Sequence, residues 1–356
     1  MNKNQIDFIK KDCEDTATWS LKLLNDLKNQ KVYVAGGTGF MGSWIAEFIS
    51  FLNDNYQFNA SLIIVSRNTE SFREEKKHLA HRKDIQFINK DVRNLNEIPS
   101  DCSYIIHAAA SPDNRAHMSN PIETISTITK GTDNLIDSAF RLPNLKKFLY
   151  LSSGQVYGKC VSENEFISES DFGPLDCNKI TSIYPEAKRL AEATCCAYSS
   201  QYKLPNVIAR PFSFIGPYQS LSKPWAINNF INDALNNKTI RIIGNGEPVR
   251  SFMYPADLVV WILKILVSGK LNTAYNIGSP MGISLKDAAK KIVQIAQTNV
   301  NIDIRFNNND SNHFVPDITL CEKELGLKLN YDIDKTFRRS IEWFKLLPQV
   351  SMLHES

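Results

Sequence analysis

Apolar residues recur along this chain in two alternating rhythms. Short unbroken runs read as buried strands, and spacings near 3.6 residues read as one-sided helices. Lys31-Val32-Tyr33-Val34-Ala35 is the first run, and after it Trp44, Ile45, Phe48, Ile49 and Leu52 mark a helix face. Residues 61–65, 85–88, 104–107, 147–151 and 206–209 supply further runs, with helical stretches between most of them. Strand and helix alternating in this way predict an α/β fold, a doubly wound parallel sheet of the Rossmann type. Ahead of it, Ile6, Ile9, Cys13, Trp19, Leu23, Leu24 and Leu27 fall at roughly helical spacing. Residues 1–29 therefore read as a helical extension made for packing or subunit contact. Beyond about residue 211 the rhythm loosens around Pro217, Pro224 and the Gly244/Gly246 pair, before a strand-like 274–277 and a helix near Leu285.

Between the first strand and the first helix stands Gly36-Gly37-Thr38-Gly39-Phe40-Met41-Gly42. Glycines at 36, 39 and 42 fit one phosphate-binding spacing, and those at 37, 39 and 42 fit another. Either gives a tight turn, a close approach to a pyrophosphate, and helix amides aimed at negative charge. The turn predicts a bound nicotinamide dinucleotide. This divides the chain into the extension at 1–29, a Rossmann dinucleotide-binding domain at 30–212 with a return near 250–280, and a smaller interleaved substrate-binding lobe that occupies most of 213–350. The second strand ends Val65-Ser66-Arg67-Asn68, without the carboxylate that binds the ribose of NAD. Arg67 is placed to meet a 2′-phosphate, which favours NADP over NAD.

Tyr184 and Lys188 lie four residues apart, hence on one helix face. A phenol with an ordinary pKa of about 10 is a poor base at neutral pH, and a nearby ammonium stabilises its phenolate. Ser153 follows the fifth strand, at the carboxyl edge of the sheet where ligands of such folds bind. Ser153, Tyr184 and Lys188 are the candidate catalytic set.

Composition narrows the reading only by exclusion. A net charge of +3 with scattered basic residues gives no nucleic-acid footprint, and no apolar run approaches the roughly 20 residues that span a bilayer. The seven cysteines (Cys13, Cys102, Cys160, Cys177, Cys195, Cys196 and Cys321) lack paired metal-site spacing. Reduced thiols, no metal site, and a soluble, cytoplasmic, unprocessed protein are the expectations.

These motifs together resemble the extended short-chain dehydrogenase/reductase family, in its nucleotide-sugar epimerase/dehydratase branch. The resemblance runs from about Lys31 to about Leu329. It rests on the glycine turn, Asp91-Val92, His107-Ala108-Ala109-Ala110, the segment 151–158, the Tyr184/Lys188 pair, the segment 209–217, and the segment 244–254 followed by Asp257. It implies that Asp91 and Val92 lie near the adenine and that Ala108 and Ala109 line the cofactor. It also implies that Lys188 holds the nicotinamide ribose and that Arg250 binds the diphosphate of a nucleoside-diphosphate sugar. The implied reaction moves a hydride at C4 of that sugar while Tyr184 takes the hydroxyl proton. Ser213 stands where the family usually has asparagine, among the substrate contacts. A homodimer is implied by resemblance alone.

Members that eliminate water across C5 and C6 carry Asp-Glu directly after the serine or threonine, and decarboxylating members keep the glutamate. Here Gly154 and Gln155 follow Ser153. An amide cannot exchange a proton at neutral pH, so a 4,6-dehydratase and a UDP-glucuronate decarboxylase are both disfavoured. A 4-epimerase is the leading expectation, an NADPH-dependent 4-ketoreductase the alternative suggested by Arg67, and a dinucleotide-binding protein without activity the remaining one.

Overall fold

In a computed structural model, residues 1–348 are described except 96, 112, 160–164 and 306–311. Cys160 lies outside the described residues. The strands in chain order are β1 (Lys31–Ala35), β2 (Ser61–Ser66), β3 (Ile85–Asn89), β4 (Tyr104–His107), β5 (Lys147–Leu151), β6 (Asn206–Pro211), β7 (Ile240–Ile243), β8 (Val249–Ser251), β9 (Ala274–Ile277), β10 (Gly282–Ser284), β11 (Ile302–Arg305) and β12 (His313–Phe314). The helices are α1 (Lys3–Ser20), α2 (Phe40–Tyr56), α3 (Glu70–Glu75), α4 (Lys77–Ala80), α5 (Asn114–Ser119), α6 (Pro121–Ala139), α7 (Ile183–Tyr202), α8 (Ala226–Leu235), α9 (Pro255–Ser268), α10 (Leu285–Ala296), α11 (Thr319–Leu325) and α12 (Ile333–Lys345).

A seven-stranded sheet in the order β3-β2-β1-β4-β5-β6-β9, parallel throughout, forms the centre. This is the Rossmann-type α/β fold that the apolar runs predict. β5 and β6 are buried at every residue, which is why they read as continuous apolar runs instead of alternating ones. β1 lies between β2 and β4, so the chain reverses its direction across the sheet there and leaves a crevice at the carboxyl ends of β1 and β4. The glycine turn enters that crevice.

Two small sheets lie outside the main one. β8 runs between β10 and β12, and β7 pairs with β11. The first of them matters for the site, because its register sets Arg250 of β8 beside Phe314 of β12. α1 opens with a reciprocal cap between Asn2 and Gln5 and sends Ile9, Cys13 and Ala17 into the main core. Asp12 on its inner face is fully buried and binds Arg339 of α12 at 2.7 Å. The hydroxyls of Tyr254 and Tyr331 donate to the same carboxylate at 2.6 and 3.3 Å. None of the described helices is long and apolar enough to cross a membrane.

Candidate active site

The turn after β1 is shaped by close backbone approach. Gly36 has φ +82°, and a Cβ there would sit 2.6 Å from the carbonyl carbon of Ala108 and 2.7 Å from Cα of Ala109. A Cβ on Gly42 would lie 2.2 Å from the Gly37 oxygen. The turn and the segment after β4 are thus pressed together as only glycine permits. Gly39 caps α2 without any side-chain acceptor, leaving the first amides of a 17-residue helix unclaimed by a cap. That geometry suits a pyrophosphate. Thr38 donates to the Ser66 hydroxyl at 2.8 Å, and Phe40 stacks on Phe214 at 4.7 Å. His107 is held neutral beneath this floor, its pKa pushed down to about 3 by burial and, secondarily, by Lys188. Its Nδ1 accepts the Ala109 N–H at 3.4 Å, while Nε2 faces the Thr132 hydroxyl at 3.0 Å.

At the tip of β2 the sequence alone does not reveal the partners. Arg67 is largely exposed and pairs with Glu123 at 2.8 Å. Glu123 also binds Arg93 at 2.7 Å, and Arg93 forks onto Asp91 at 2.6 and 3.0 Å. The Arg93 hydrogen bonds hold the Asp91 carboxyl below its ordinary range. Two cations therefore bracket Glu123 where the ribose end of a dinucleotide would lie. Val92 is buried and packs against α6, where a Cβ on Gly131 would meet its Cγ1 at 2.6 Å.

Beside the crevice is a cavity of about 800 Å³. Met41, Ser153, Tyr184, Ser213 and Arg250, each expected from the sequence, all line it, together with Gln155. Lys188 lies beneath the lining and donates to the Leu151 carbonyl at 2.7 Å. Its ammonium sits 4.8 Å from the Tyr150 ring centre and 5.8 Å from that of Tyr184. Burial lowers its pKa to about 7, with Glu192 opposing. Burial also pushes the Tyr184 phenol up to about 12, and only the Ser153 hydrogen bond pulls it back. Desolvation disfavours the charged form of both groups, raising the phenol and lowering the ammonium.

Two features of the site escaped the sequence reading. His117 of α5 stacks on the Tyr184 ring and donates through Nε2 to the Ser111 carbonyl at 2.7 Å. Phe212 and Phe314 pack against Gly154, and both border the cavity. His117 belongs to no spacing motif, and Phe314 lies more than 150 residues from Gly154, so neither left a local signal. At the cavity mouth, the buried Asp113 binds Lys223 at 2.9 Å and Arg115 at 3.4 Å, tying the β4–α5 segment to the chain before α8.

Residues 32–278 match the model of the NAD dependent epimerase/dehydratase family. The chain is 28% identical over 327 residues to UDP-glucuronic acid decarboxylase 1 of Xenopus tropicalis, covering 91% of this chain and 74% of that protein. It is 29% identical over 300 residues to UDP-glucuronic acid decarboxylase 2 of Arabidopsis thaliana, where 84% of this chain spans only 64% of the relative. Among solved structures it resembles UDP-N-acetylglucosamine 4-epimerase from Methanobrevibacter ruminantium M1 in complex with UDP-N-acetylmuramic acid. That match has a TM-score of 0.77 at 23% identity and covers 89% of this chain and 99% of the other.

Proposed function

The chain belongs to the NAD dependent epimerase/dehydratase family of enzymes, and from that membership we propose that it acts at C4 of a nucleoside-diphosphate sugar, as a 4-epimerase. The observation that carries this reading is the joint lining of one cavity by Ser153, Tyr184 and Arg250, beside an uncapped helix N-terminus suited to a dinucleotide. When bound on the glycine turn, the nicotinamide supplies a reversible acceptor for the hydride of C4. Tyr184 takes the C4 hydroxyl proton as the carbonyl forms and, once the 4-keto sugar has turned its other face toward the hydride, returns it. Ser153 shares that proton and orients the oxygen. Arg250 holds the diphosphate through its planar donor head. Lys188 fixes α7 against the end of β5 through Leu151 and would hold the nicotinamide ribose. Arg67 and Arg93 favour NADP at the ribose end.

A second reading draws on the relatives, which are named UDP-glucuronic acid decarboxylases. Against it stands Gln155, which lines the cavity with an amide where proton exchange is required. Incubation with UDP-, dTDP-, CDP- and GDP-sugars separates these readings. A C4 epimer formed without net consumption of cofactor is the expected product. Carbon dioxide and a pentose from UDP-glucuronate would establish the decarboxylase, and stoichiometric NADPH consumption would establish a 4-ketoreductase. Tyr184→Phe should lower turnover by about 100-fold or more; full activity in that variant would remove Tyr184 as the base, and no turnover of any of these sugars by the wild type would leave a dinucleotide-binding role in its place.

We also propose a homodimer. Met118 of α5, Ile122 of α6 and Leu190 of α7 are 49%, 77% and 55% exposed, apolar side chains that a second copy would cover. Sedimentation at micromolar concentration tests this, and a monomer would refute it.

A further inference from the structure

α5 is six residues long and opens on Asp113, whose carboxylate accepts the Arg115 amide at 3.0 Å. Within the helix only His117 is buried, and its ring stacks on Tyr184. A helix this short does not hold itself together in water, and a single buried side chain anchors it weakly. Polar ties at its cap therefore carry much of its placement. Two such ties reach the chain between β6 and α8. Lys223 Nζ binds the Asp113 carboxylate at 2.9 Å, and Arg115 Nη2 donates to the Ser222 carbonyl at 3.3 Å. Directly after Lys223, Pro224, Trp225 and Asn228 line the cavity, and Asn114 lines it from the side of α5. The backbone amide of His117 donates to the Asp113 carbonyl at 3.2 Å, so one helical turn separates the tie to the cavity wall from the ring behind the proposed base.

We propose that Lys223 and Asp113 are positioning residues, whose ion pair fixes α5 and, through His117, the aim of the Tyr184 phenol toward the sugar nucleotide. This rests on the reading of Tyr184 as the base and holds whichever sugar is bound. Asp113 is 5% exposed. Without Lys223 its remaining cationic partner among the described residues is Arg115, at 3.4 Å and on a side chain 57% exposed. A buried carboxylate that has lost its better partner gains by turning toward water. Because Asp113 caps α5, the first turn of the helix moves with it, and His117 leaves its parallel contact with the phenol. The Lys223 side chain is itself 39% exposed, so its removal opens no hole in the core. The effect falls on alignment instead of folding.

The test is a double-variant cycle on kcat. It uses the full chain with NAD⁺ or NADP⁺ supplied, and whichever of UDP-glucose, UDP-glucuronate, dTDP-glucose, CDP-glucose and GDP-mannose the wild type converts. Lys223→Met should lower kcat by about tenfold, within the loss that a misplaced reacting group brings. KM and calorimetric binding of UDP should change by less than about twofold. Lys223→Arg, which keeps the charge, should recover most of kcat. Asp113→Asn, which keeps the cap, should lower kcat as Lys223→Met does, and it takes that variant's place if Lys223→Met does not fold. In a His117→Leu background, Lys223→Met should cost less than about a further twofold, because the route to Tyr184 is already cut. Full multiplication of the two losses, or a raised KM with kcat unchanged, would overturn the inference and leave Tyr184 as the base. Full activity in Tyr184→Phe, or no turnover of any of these sugars by the wild type, would overturn both.

Discussion

The imidazole of His117 lies flat against the phenol of Tyr184, with ring centres 4.2 Å apart and planes 8° from parallel. Both rings are buried, and His117 is anchored through Nε2 to the Ser111 carbonyl. The stack limits rotation of the proposed base about its side-chain bonds and so fixes where its oxygen points. Loss of the ring should therefore reduce turnover more than binding. His117→Leu is expected to lower kcat by about 10- to 100-fold, the scale of a misplaced reacting group, with KM nearly unchanged. His117→Phe, which keeps a flat ring, should recover most of the activity. Steady-state kinetics on the two variants decide this, and equal kcat values for Leu and Phe would remove the positioning role.

Lys188 makes a prediction about stability and pH. Its pKa is lowered by burial from 10.5 to about 7 in the folded chain. Below about pH 7 the ammonium is charged in both the folded and the unfolded state, and the full burden of burying it is present. Between about pH 7 and 10.5 the unfolded chain keeps the proton that the folded chain has released, so this burden fades as pH rises. The stability of Lys188→Met relative to wild type should accordingly decline from pH 7 to pH 10. Urea unfolding midpoints at both pH values test it; a constant difference would show that the ammonium is not desolvated.

Much of this architecture was legible in the chain, for reasons that can be named. β1, β5 and β6 are buried on both faces and so appear as unbroken apolar runs. The glycine turn was legible because close backbone contact, as between Gly36 and Ala108, tolerates no side chain. Tyr184 was found through its helical spacing from Lys188. What stayed hidden depends on contacts between distant segments. Gly154 read as a missing acid, whereas in the fold it is the space that Phe212 and Phe314 require. Arg67 reads from the sequence as a partner for a 2′-phosphate, whereas in the fold Glu123 from α6 already holds it. Pairings of this kind have no periodicity, and only the tertiary fold brings them together.

The same aromatic packing makes Gly154 resistant to an acid. An aspartate there would need space already filled by Phe212 Cδ2 and Phe314 Cζ, each 3.0 Å from the first added carbon. Gly154→Asp should lower the thermal midpoint, because overpacking a tight site costs about 1–3 kcal/mol. It should also yield no 4-keto-6-deoxy product, even when combined with Gln155→Glu. Thermal melts and product analysis check both parts, and a dehydrated product from the double variant would contradict this account.

Asp12 ties the amino-terminal extension to the rest of the molecule. Its carboxylate is fully buried and meets Arg339 of α12, Tyr254 directly before α9 and Tyr331 just before α12. Removing one partner of a buried pair leaves the other unsatisfied. Asp12→Ala should destabilise the protein by about 3 kcal/mol, near the low end for such pairs, because the Arg339 side chain is 20% exposed and can partly recover water. Chemical unfolding measures the change. A loss under about 1 kcal/mol would mean that the pair behaves as a surface contact.

If the proposed cofactor corner is right, Glu123 should govern the choice between NADP and NAD. In the folded chain this carboxylate occupies Arg67 at 2.8 Å and Arg93 at 2.7 Å. A 2′-phosphate entering this corner would compete with it for the same two guanidinium groups. Removing the carboxylate should therefore help NADP and leave NAD almost unaffected, while removing Arg67 should do the reverse. Arg67→Ala is expected to weaken NADPH binding by about tenfold, the strength of one charge-assisted hydrogen bond. Glu123→Ala should tighten it by a smaller factor, since Arg67 is largely exposed and its pairing with Glu123 is screened. Fluorescence titration of NADPH and NADH into the wild type and both variants gives the four comparisons. If Arg67→Ala shifts both cofactors equally, the arginine contributes general charge, and the preference for NADP has no basis at this corner.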